Sequence, residues 1–384
     1  MKNIAIGVTL ALSVVGCSKK KPQENKEPPA PVDNTGSGSA MAGSAAAAEK
    51  PLVGKDLADR YMKCGEMIAA GKMDDFKSTC VEADYVSHEV DQGDMKGTDA
   101  LVGMFAAMHK GFPDMAMKPQ LVLVNGRNIF AVNLSTGTNS GALAMPGMPE
   151  MPATNKKTGT LFFHRLAIND ANKATEEWGY EDPTTFMGQL GLLPPPPKGP
   201  PTRPALDKGW DGAPIVAIAA DNDTEKKNLD TVKKMDAAFN AHKEADMMAM
   251  LTDDFVESDQ ADDKDHVGKK EVEKNLKQFW AAFPDVKTTP DGDWAAGDYV
   301  VETGVLDGTN TGDMGPMKKT GKKVSMHYAE ISKLKDGKVT NLWRFRNGMA
   351  VAIQLGLMPA PGAAPAAGSG ATAGSAAGSA APKK

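Results

Sequence analysis

Apolar residues recur at helical spacing in three segments after residue 54, and the same arrangement returns in three segments after residue 225. The first helix of each set carries its apolar residues on one face: Leu57, Tyr61, Cys64 and Ile68, then Leu229, Val232, Met235 and Phe239. The third helix of each set ends at a Phe-Pro-Asp sequence, because proline cannot continue a helix. The pattern therefore predicts two similar groups of three helices.

Strand patterns follow each group of helices. In the first copy, two apolar runs flank Asn125-Gly126, which is a strong hairpin signal. Two later stretches alternate in strand fashion: Phe162, His164, Leu166 and Ile168, then Trp178, Tyr180 and Asp182. Three helices wrapped by a curved antiparallel sheet form an α+β half-barrel, a cone with an open mouth. The sequence predicts two such cone-shaped half-barrels in tandem.

The duplication is explicit in three motifs that occur once in each copy: Phe112-Pro113-Asp114 with Phe283-Pro284-Asp285, Gly137-Thr138-Asn139-Ser140-Gly141 with Gly308-Thr309-Asn310-Thr311-Gly312, and Gln189-Leu190-Gly191 with Gln354-Leu355-Gly356. The members of the first two pairs are each 171 residues apart. A unit of this length is ample for one hydrophobic core. We expect one domain over residues 54–195 and a second over residues 225–359.

Three other segments have the composition of linkers. Residues 18–50 and 360–384 are rich in Ala, Gly, Ser, Lys or Pro without periodicity, so we expect a disordered tether and a disordered tail. Residues 196–224 begin with prolines, which favour a stiff extended spacer. Within that spacer, Trp210 and the run from Ile215 to Ile218 are apolar enough to pack against a domain.

The first seventeen residues have the layout of a signal peptide, with a short positive start, an apolar stretch and Val14-Val15-Gly16-Cys17 at the end. The apolar stretch is too short to span a bilayer. The segment resembles a bacterial lipoprotein signal, in which the cysteine is lipidated; the alternative is an ordinary secretory signal with a chance cysteine. The resemblance implies a chain anchored to a membrane through a lipid on Cys17, in the bacterial cell envelope and at the outer membrane.

Charge and cysteine content limit which partners, cross-links and metal sites are expected. The chain has 44 Lys and Arg against 49 Asp and Glu residues, so we expect no nucleic-acid partner. Cys64 and Cys80 lie in neighbouring predicted helices, and an exported compartment permits a disulfide. The second copy has no cysteine at either place, so the fold does not require the bridge, and the pairing stays open. No His or Cys cluster has metal-ligand spacing, so we expect no metal site.

In this order and in both copies, the motifs resemble those of the SnoaL-like polyketide cyclases, which have the nuclear-transport-factor-2-like cone fold. That family has Phe-Pro-Asp after the third helix, then Gly-Thr-His-x-Gly, a Thr-Gly before a strand, Trp and Asp near a strand end, and Gln-Leu-Gly. Both copies have asparagine, Asn139 and Asn310, in place of the motif histidine. An amide can orient a carbonyl but cannot carry a proton.

The resemblance implies a cone that holds a small apolar molecule, and a strand-end carboxylate that works as acid and base without cofactor or metal. Asp182 occupies that position in the first copy, and His164 is expected to assist it. The second copy has Asn347 there and Met326 aligned with His164, so we expect it to be inactive. The expected ligand-binding residues are Asn139, Trp178, Tyr180, Asn310, Trp343 and Asn347.

These expectations leave three functions open. The first is a membrane-tethered binding module for a small apolar, polyketide- or steroid-like molecule, favoured by the asparagines. The second is a cofactor-independent cyclase or isomerase that acts in the first domain through Asp182. The third is an envelope structural or partner-binding protein. Because cone domains of this kind usually dimerise through their sheets, we expect the two copies to form that pair within one chain.

Overall fold

The computed structural model describes residues 50–144, 150–193 and 202–359. The signal peptide with Cys17, nearly all of the predicted tether, the start of the spacer and the predicted tail lie outside the described residues. Within them, the same order of helices and strands occurs twice. None of the described helices has the length and apolar character needed to cross a membrane.

The first copy begins with three helices and two strands: α1 (Gly54–Ala69), α2 (Met73–Cys80), β1 (Val81–Glu89), β2 (Gly93–Lys96) and α3 (Thr98–Gly111). It continues with β3 (Ala116–Asn125), β4 (Asn128–Thr138), β5 (Lys157–Ile168), β6 (Ala174–Tyr180) and α4 (Pro183–Leu190). The spacer contributes β7 (Ile215–Ile218).

The second copy repeats this order with α5 (Asp223–Asn240), α6 (Glu244–Ala249), β8 (Leu251–Asp259), β9 (His266–Val267) and α7 (Lys269–Ala282). Its remaining elements are β10 (Lys287–Ala296), β11 (Tyr299–Thr309), β12 (Lys323–Lys335), β13 (Lys338–Arg346) and α8 (Gly348–Leu355).

The predicted α+β architecture of two tandem cones is confirmed, with two differences in detail. Strands β1 and β8 lie between the second and third helices, where the sequence predicted none. The sheets are also mixed rather than wholly antiparallel, because β1 runs parallel to β6 and β8 parallel to β13. The strand orders are β2-β1-β6-β5-β4-β3-β7 and β10-β11-β12-β13-β8-β9.

A short helix closes each copy, and the Gln-Leu-Gly motif marks its end. Gly191 after α4 and Gly356 after α8 have φ of 70° and 71°, in the left-handed region that favours glycine. Asp182 and Asn347 cap the starts of these helices by accepting backbone N–H groups. The glycines of the Gln-Leu-Gly motifs therefore end these two helices, and Asp182 and Asn347 begin them.

The apolar run of the spacer packs on the first domain. Ile215–Ile218 forms β7, which pairs in parallel with Leu121–Val124 of β3 at the edge of the first sheet. The spacer thus covers an edge strand that would otherwise expose unpaired backbone groups. Trp210, upstream of β7, packs against Trp343 of the second domain with ring centroids 4.7 Å apart.

The outer faces of the two sheets share one hydrophobic core. Phe163 on β5 and Phe345 on β13 are almost completely buried, and their ring centroids are 5.7 Å apart. Phe130 on β4 packs against Trp294 on β10 at 4.8 Å. The side-chain amide of Asn125 donates to the carbonyl of Ala295 at 3.0 Å. The domains are therefore packed together through the sheet faces that point away from their helices.

The first domain contains a disulfide, a pairing that the sequence analysis left open. Cys64 on α1 and Cys80 at the end of α2 are bonded, with Cα atoms 6.0 Å apart. The bridge ties α1 to the start of β1 and lies beside the apolar core beneath the helices. In the second copy, α5 and α6 take the same positions with no cysteine.

Candidate functional site

A group of polar side chains lies inside the first cone, on the face of the sheet that the helices cover. His164 on β5 is at its centre. The Nδ1 of His164 lies 2.6 Å from Oε1 of Glu177 on β6, and its Nε2 lies 2.7 Å from the hydroxyl of Tyr61 on α1. The amide of Asn133 on β4 donates to that hydroxyl at 2.8 Å, and Tyr85 on β1 donates to Glu177. We call these five residues the cone-1 polar group.

Electrostatics fixes the direction of the central hydrogen bond. Burial alone would raise the pKa of Glu177, but the contacts with His164 and Tyr85 outweigh it and lower that pKa below its ordinary value. Glu177 is therefore an anion near neutral pH. Because a carboxylate only accepts hydrogen bonds, Nδ1 of His164 donates to it, and Nε2 of His164 is directed at the hydroxyl of Tyr61.

Another carboxyl group in this cone, that of Glu89, has a raised pKa, unlike that of Glu177. Burial, together with the negative charges of Glu181 and Glu177, raises the pKa of Glu89 to about 7. Ser87 donates to Glu89 at 2.9 Å. Glu89 lies opposite Gly179 on β6, and Gly179 lies opposite His164 on β5. The cone therefore contains a carboxyl group that can gain or lose a proton under physiological conditions.

Apolar side chains surround the polar group. Met104 and Phe105 on α3 and Met117 on β3 are half-buried and pack against the core beneath the helices, as does the ring of Tyr61. Phe162 on β5 contacts the ring of His164 edge-on, with centroids 5.6 Å apart. Thioether and aromatic groups thus lie on the same, helix-covered side of the sheet as the cone-1 polar group.

A model of one protein family matches both copies, over residues 57–190 and 229–355, and its description is SnoaL-like polyketide cyclase. The chain belongs to that family. The two matched segments cover more than half of the chain and coincide with the two cones.

Solved structures similar to one SnoaL-like domain at a time include three bacterial proteins. A proposed SnoaL-like polyketide cyclase from Jannaschia sp. CCS1 is 18% identical, with 36% of this chain and 99% of that chain covered and a TM-score of 0.34. IdmH, a proposed polyketide cyclase from Streptomyces antibioticus, is 20% identical over 34% and 98%, with a TM-score of 0.30. AclR, a proposed hydroxylase from Streptomyces galilaeus, is 24% identical over 35% and 85%, with a TM-score of 0.33. No curated protein matches the chain.

Asp182, the expected acid and base, lies outside the cone-1 polar group. Its Oδ2 accepts from the backbone N–H and the hydroxyl of Thr185, at 2.8 and 2.7 Å. Its Oδ1 accepts from the N–H of Gly348 in the second SnoaL-like domain at 2.9 Å, and from that of Thr184 at 3.4 Å. Four donors occupy the four lone-pair positions of a carboxylate. Asp182 therefore caps α4 and links the two domains.

The surroundings of Asp182 leave little space for another molecule. A cavity of about 10 Å³ beside it is lined by Thr160, Leu161, Asp182, Thr185, Arg203 and Gln260. That volume holds about one water molecule. Burial raises the pKa of Asp182, and the hydrogen bonds from Thr185 oppose the shift. Within the described residues, Asp182 and His164 share no hydrogen-bond partner.

The two motif asparagines hold loops together. Asn139 is buried; its amide donates to the carbonyls of Gly111 and Gly141, and its oxygen accepts from the N–H and hydroxyl of Thr154. Asn310 makes the same four kinds of bond in the second domain, to Ala282, Gly312 and Thr320. Because these amides are already satisfied, they have no free donor or acceptor for a ligand.

The other four expected ligand contacts also lie elsewhere. Tyr180 is buried in the core between the two sheets, where Trp178 and Trp343 pack at its margin. Arg165 stacks over Trp178 at 4.5 Å. Asn347 caps α8 by accepting from the N–H of Ala350 at 2.9 Å. Trp178, Tyr180 and Trp343 thus lie on the sheet faces towards the partner domain, and Asn347 lies at a helix start. A role of these four residues in ligand binding stays a prediction.

Strand alternation explains both the error and the residues that the sequence analysis missed. Trp178 and Tyr180 alternate on β6, so Glu177 and Gly179 face the opposite side of the sheet. The register places His164 opposite Gly179, and His164 therefore shares a face with Glu177. The alternation was visible in the sequence, but it does not tell which face is covered by helices. Tyr61 was expected on the apolar face of α1, without a polar role.

The second cone contains a different set of charges. Strand register places Glu330, rather than Met326, at the position of His164, because His164 lies opposite Ala131 and Glu330 lies opposite Glu302. Arg344 lies opposite Glu330, at the position of Gly179, and Leu342 holds the position of Glu177. The guanidinium of Arg344 bonds Glu330 at 2.6 Å and Glu257 at 2.8 Å. No group of side chains suited to a metal ion occurs among the described residues of either domain.

Proposed function

We propose that the chain is a lipid-anchored envelope protein whose first SnoaL-like domain binds a small, largely apolar molecule. The observation that supports this proposal is the cone-1 polar group inside apolar walls. Binding pockets for small molecules are typically mostly apolar, with a few polar groups that orient the ligand. Tyr61 and Glu177 are half-buried rather than fully buried residues, and the side chain of Glu177 is 17% exposed, which favours access for a ligand.

The polar group favours a ligand with a carbonyl or hydroxyl group at one end. In the tautomer that Glu177 selects, the pair of Tyr61 and His164 can present a hydroxyl donor or a ring-nitrogen acceptor. The aromatic ring of Phe162 and the methionines are suited to a flat or hydrophobic body. These features favour a ligand of the polyketide or steroid type.

The test is native mass spectrometry of the tether-free protein purified from its own host, followed by identification of any released molecule. We expect an apolar compound bound to the first domain. Tyr61→Phe and His164→Ala should weaken its binding about 10- to 100-fold, which is the loss expected for a hydrogen bond to a polar or charged group. His88→Ala removes a half-buried histidine of the same domain that stacks on Trp178, on the sheet face away from the helices, and should leave affinity unchanged. Equal affinity in all variants would show that the cone-1 polar group does not contact the ligand.

A second candidate is cofactor-independent acid–base chemistry, such as a cyclisation or isomerisation, in the same cone. The raised pKa of Glu89 and the pair of His164 and Glu177 favour it, since a general base works best with a pKa near the working pH. Turnover of the released compound that falls in Glu89→Gln and persists in Asp182→Asn would establish it. An empty protein without turnover would instead favour an envelope structural or partner-binding role.

The membrane anchor is a separate part of the proposal, supported by the sequence that ends at Cys17. Cys17→Ala should move the protein from the membrane fraction to the soluble fraction and abolish incorporation of labelled fatty acid. Retention in the membrane fraction would show that another segment is the anchor. We also propose that the two domains satisfy each other's sheet faces, so that native mass spectrometry gives the mass of one chain.

A further inference from the structure

Two acidic side chains join the first helix of the second domain to its sheet. Asp236 on α5 hydrogen bonds with Glu302 on β11. Glu302 is 3% exposed, and the hydroxyl of Tyr328 on β12 donates to its Oε1 at 2.7 Å. The Oδ2 atom of Asp236 is buried and faces no donor among the described residues. We propose that this pair is a proton-controlled latch between α5 and the sheet, closed while the two carboxyl groups share a proton and released when it leaves.

The argument rests on what two carboxyl groups in contact can do. An ionised carboxylate only accepts hydrogen bonds, so a bond between two carboxyl groups requires one proton. If that proton leaves, two negative charges remain in contact in a poorly solvated place and repel each other. The buried Oδ2 of Asp236 has no donor among the described residues, so this carboxyl group is poorly stabilised as an anion.

The charged groups around the pair oppose a second negative charge. Asp293 on β10 and Glu330 on β12 add negative charge, and the hydroxyl of Tyr328 is already used by Glu302. The nearby cations are engaged elsewhere. Lys233 on α5 lies 3.1 Å from Asp293, and Arg344 on β13 binds Glu330 and Glu257. Thus no free cation among the described neighbours neutralises the pair.

The direction of the pH effect follows from these surroundings. Burial, the first cause, raises the pKa of Asp236 to about 6 and that of Glu302 to about 10. Both pKa values are higher in the folded chain than in the unfolded chain, so the pair's contribution to stability is present in acid. It is lost progressively as the pH rises from the ordinary carboxyl range, about 4, to about 10, where the last proton leaves the folded pair. The latch is therefore closed in acid and released in alkali.

The ends of α5 are held by contacts that lack a shared proton. Near its start, Glu225 accepts from the N–H of Gly297 at 2.7 Å, and Asn228 donates to the carbonyl of Gly297 at 3.2 Å. At its end, Asn240 accepts from the N–H of Thr288 at 2.7 Å. Release of the latch should therefore loosen the middle of α5, over the interior of the second cone, while both ends stay attached.

The first domain provides an internal control. At the same spacing of 171 residues, Gly65 stands for Asp236 and Ala131 stands for Glu302. Helix α1 thus has the same place in the fold without an acidic pair, and the disulfide at Cys64 ties it to α2.

The test is hydrogen exchange of the full chain followed by mass spectrometry between about pH 7 and pH 10.5, a range that spans the loss of the shared proton, corrected for the intrinsic pH dependence of exchange. Protection of peptides from the middle of α5 should fall at least about 10-fold more than protection of α1, since one pKa unit corresponds to a tenfold change. Glu302→Gln, which supplies an uncharged donor, should abolish the difference. Asp236→Asn tests the same point if Glu302→Gln does not fold. The latch would be overturned if α5 and α1 lost protection in parallel as the pH rises. It would also be overturned if the protection of α5 depended on pH equally in the variants and in the wild type.

Discussion

Phe163→Ala should destabilise both domains, although Phe163 belongs to the first. Its ring is completely buried and packs against Phe345 of the second domain at 5.7 Å. Removing a buried phenylalanine ring costs about 3–5 kcal/mol of unfolding free energy, through lost burial and the cavity left behind. Because the cavity opens in a core that both sheets share, protection from hydrogen exchange should fall in β12 and β13 as well as in β4 and β5.

A matched control separates this shared core from a general loss of stability in the first domain. Phe112 is similarly buried, at 2% exposure, but it packs with Leu143 and Leu190 within the first domain. Phe112→Ala should cost a similar amount in urea unfolding and leave the exchange of β12 and β13 unchanged. If Phe163→Ala also left the second domain unaffected, the sheets would not form one cooperative core. The double variant with Phe345→Ala should cost less than the sum of the two single variants.

Loss of the Cys64–Cys80 disulfide should be the second large effect. The bond closes a loop with a sequence separation of 16 residues, and chain entropy for a loop of that length gives about 3 kcal/mol of stability at 25 °C. The Cys64→Ala/Cys80→Ala variant should therefore unfold at a lower urea concentration than the wild type. The loss should appear in the exchange of α1 and α2 before that of α5 and α6, which have no bridge.

Reductant provides the control for this substitution, because Cys80 is 6% exposed and its replacement also removes packed atoms. Reduction of the wild type should lower its unfolding midpoint, and the same reductant should leave the double variant unchanged. If reduction of the wild type had no effect, the stability lost in the variant would come from packing rather than from the cross-link.

The architecture could be predicted because duplication presents each pattern twice. The Phe-Pro-Asp and Gln-Leu-Gly motifs lie at helix ends, so the equal spacing of these motifs indicated that the helices recur in both copies. Strand β1 was missed because its residues read Val-Glu-Ala-Asp-Tyr-Val-Ser-His-Glu, in which polar side chains outnumber apolar ones. Its pairing with β6 supplies the stability that its own composition lacks.

The site was harder to predict than the fold, for reasons of geometry. His164 was found because it lies on a strand whose apolar neighbours mark the inner face. Glu177 could not be assigned to that face without the register between β5 and β6. Asp236 and Glu302 come from a helix and a strand far apart in sequence, and nothing local to either indicates a shared proton. Asp182 was chosen from a family position, whereas here its oxygens are occupied by a helix cap and by Gly348.

Joining the two copies in one chain has a consequence for how their contact surface can change. In a dimer of identical subunits, every substitution appears on both sides of the symmetry axis, so a large charged group must be compatible with its own image. Here Arg165 stacks between Trp178 and Trp294, whereas the matching position of the second sheet holds Ile331. A single guanidinium is thus accommodated where a symmetric pair would bring two. The covalent link therefore allows each half of the surface to differ from the other at such a position.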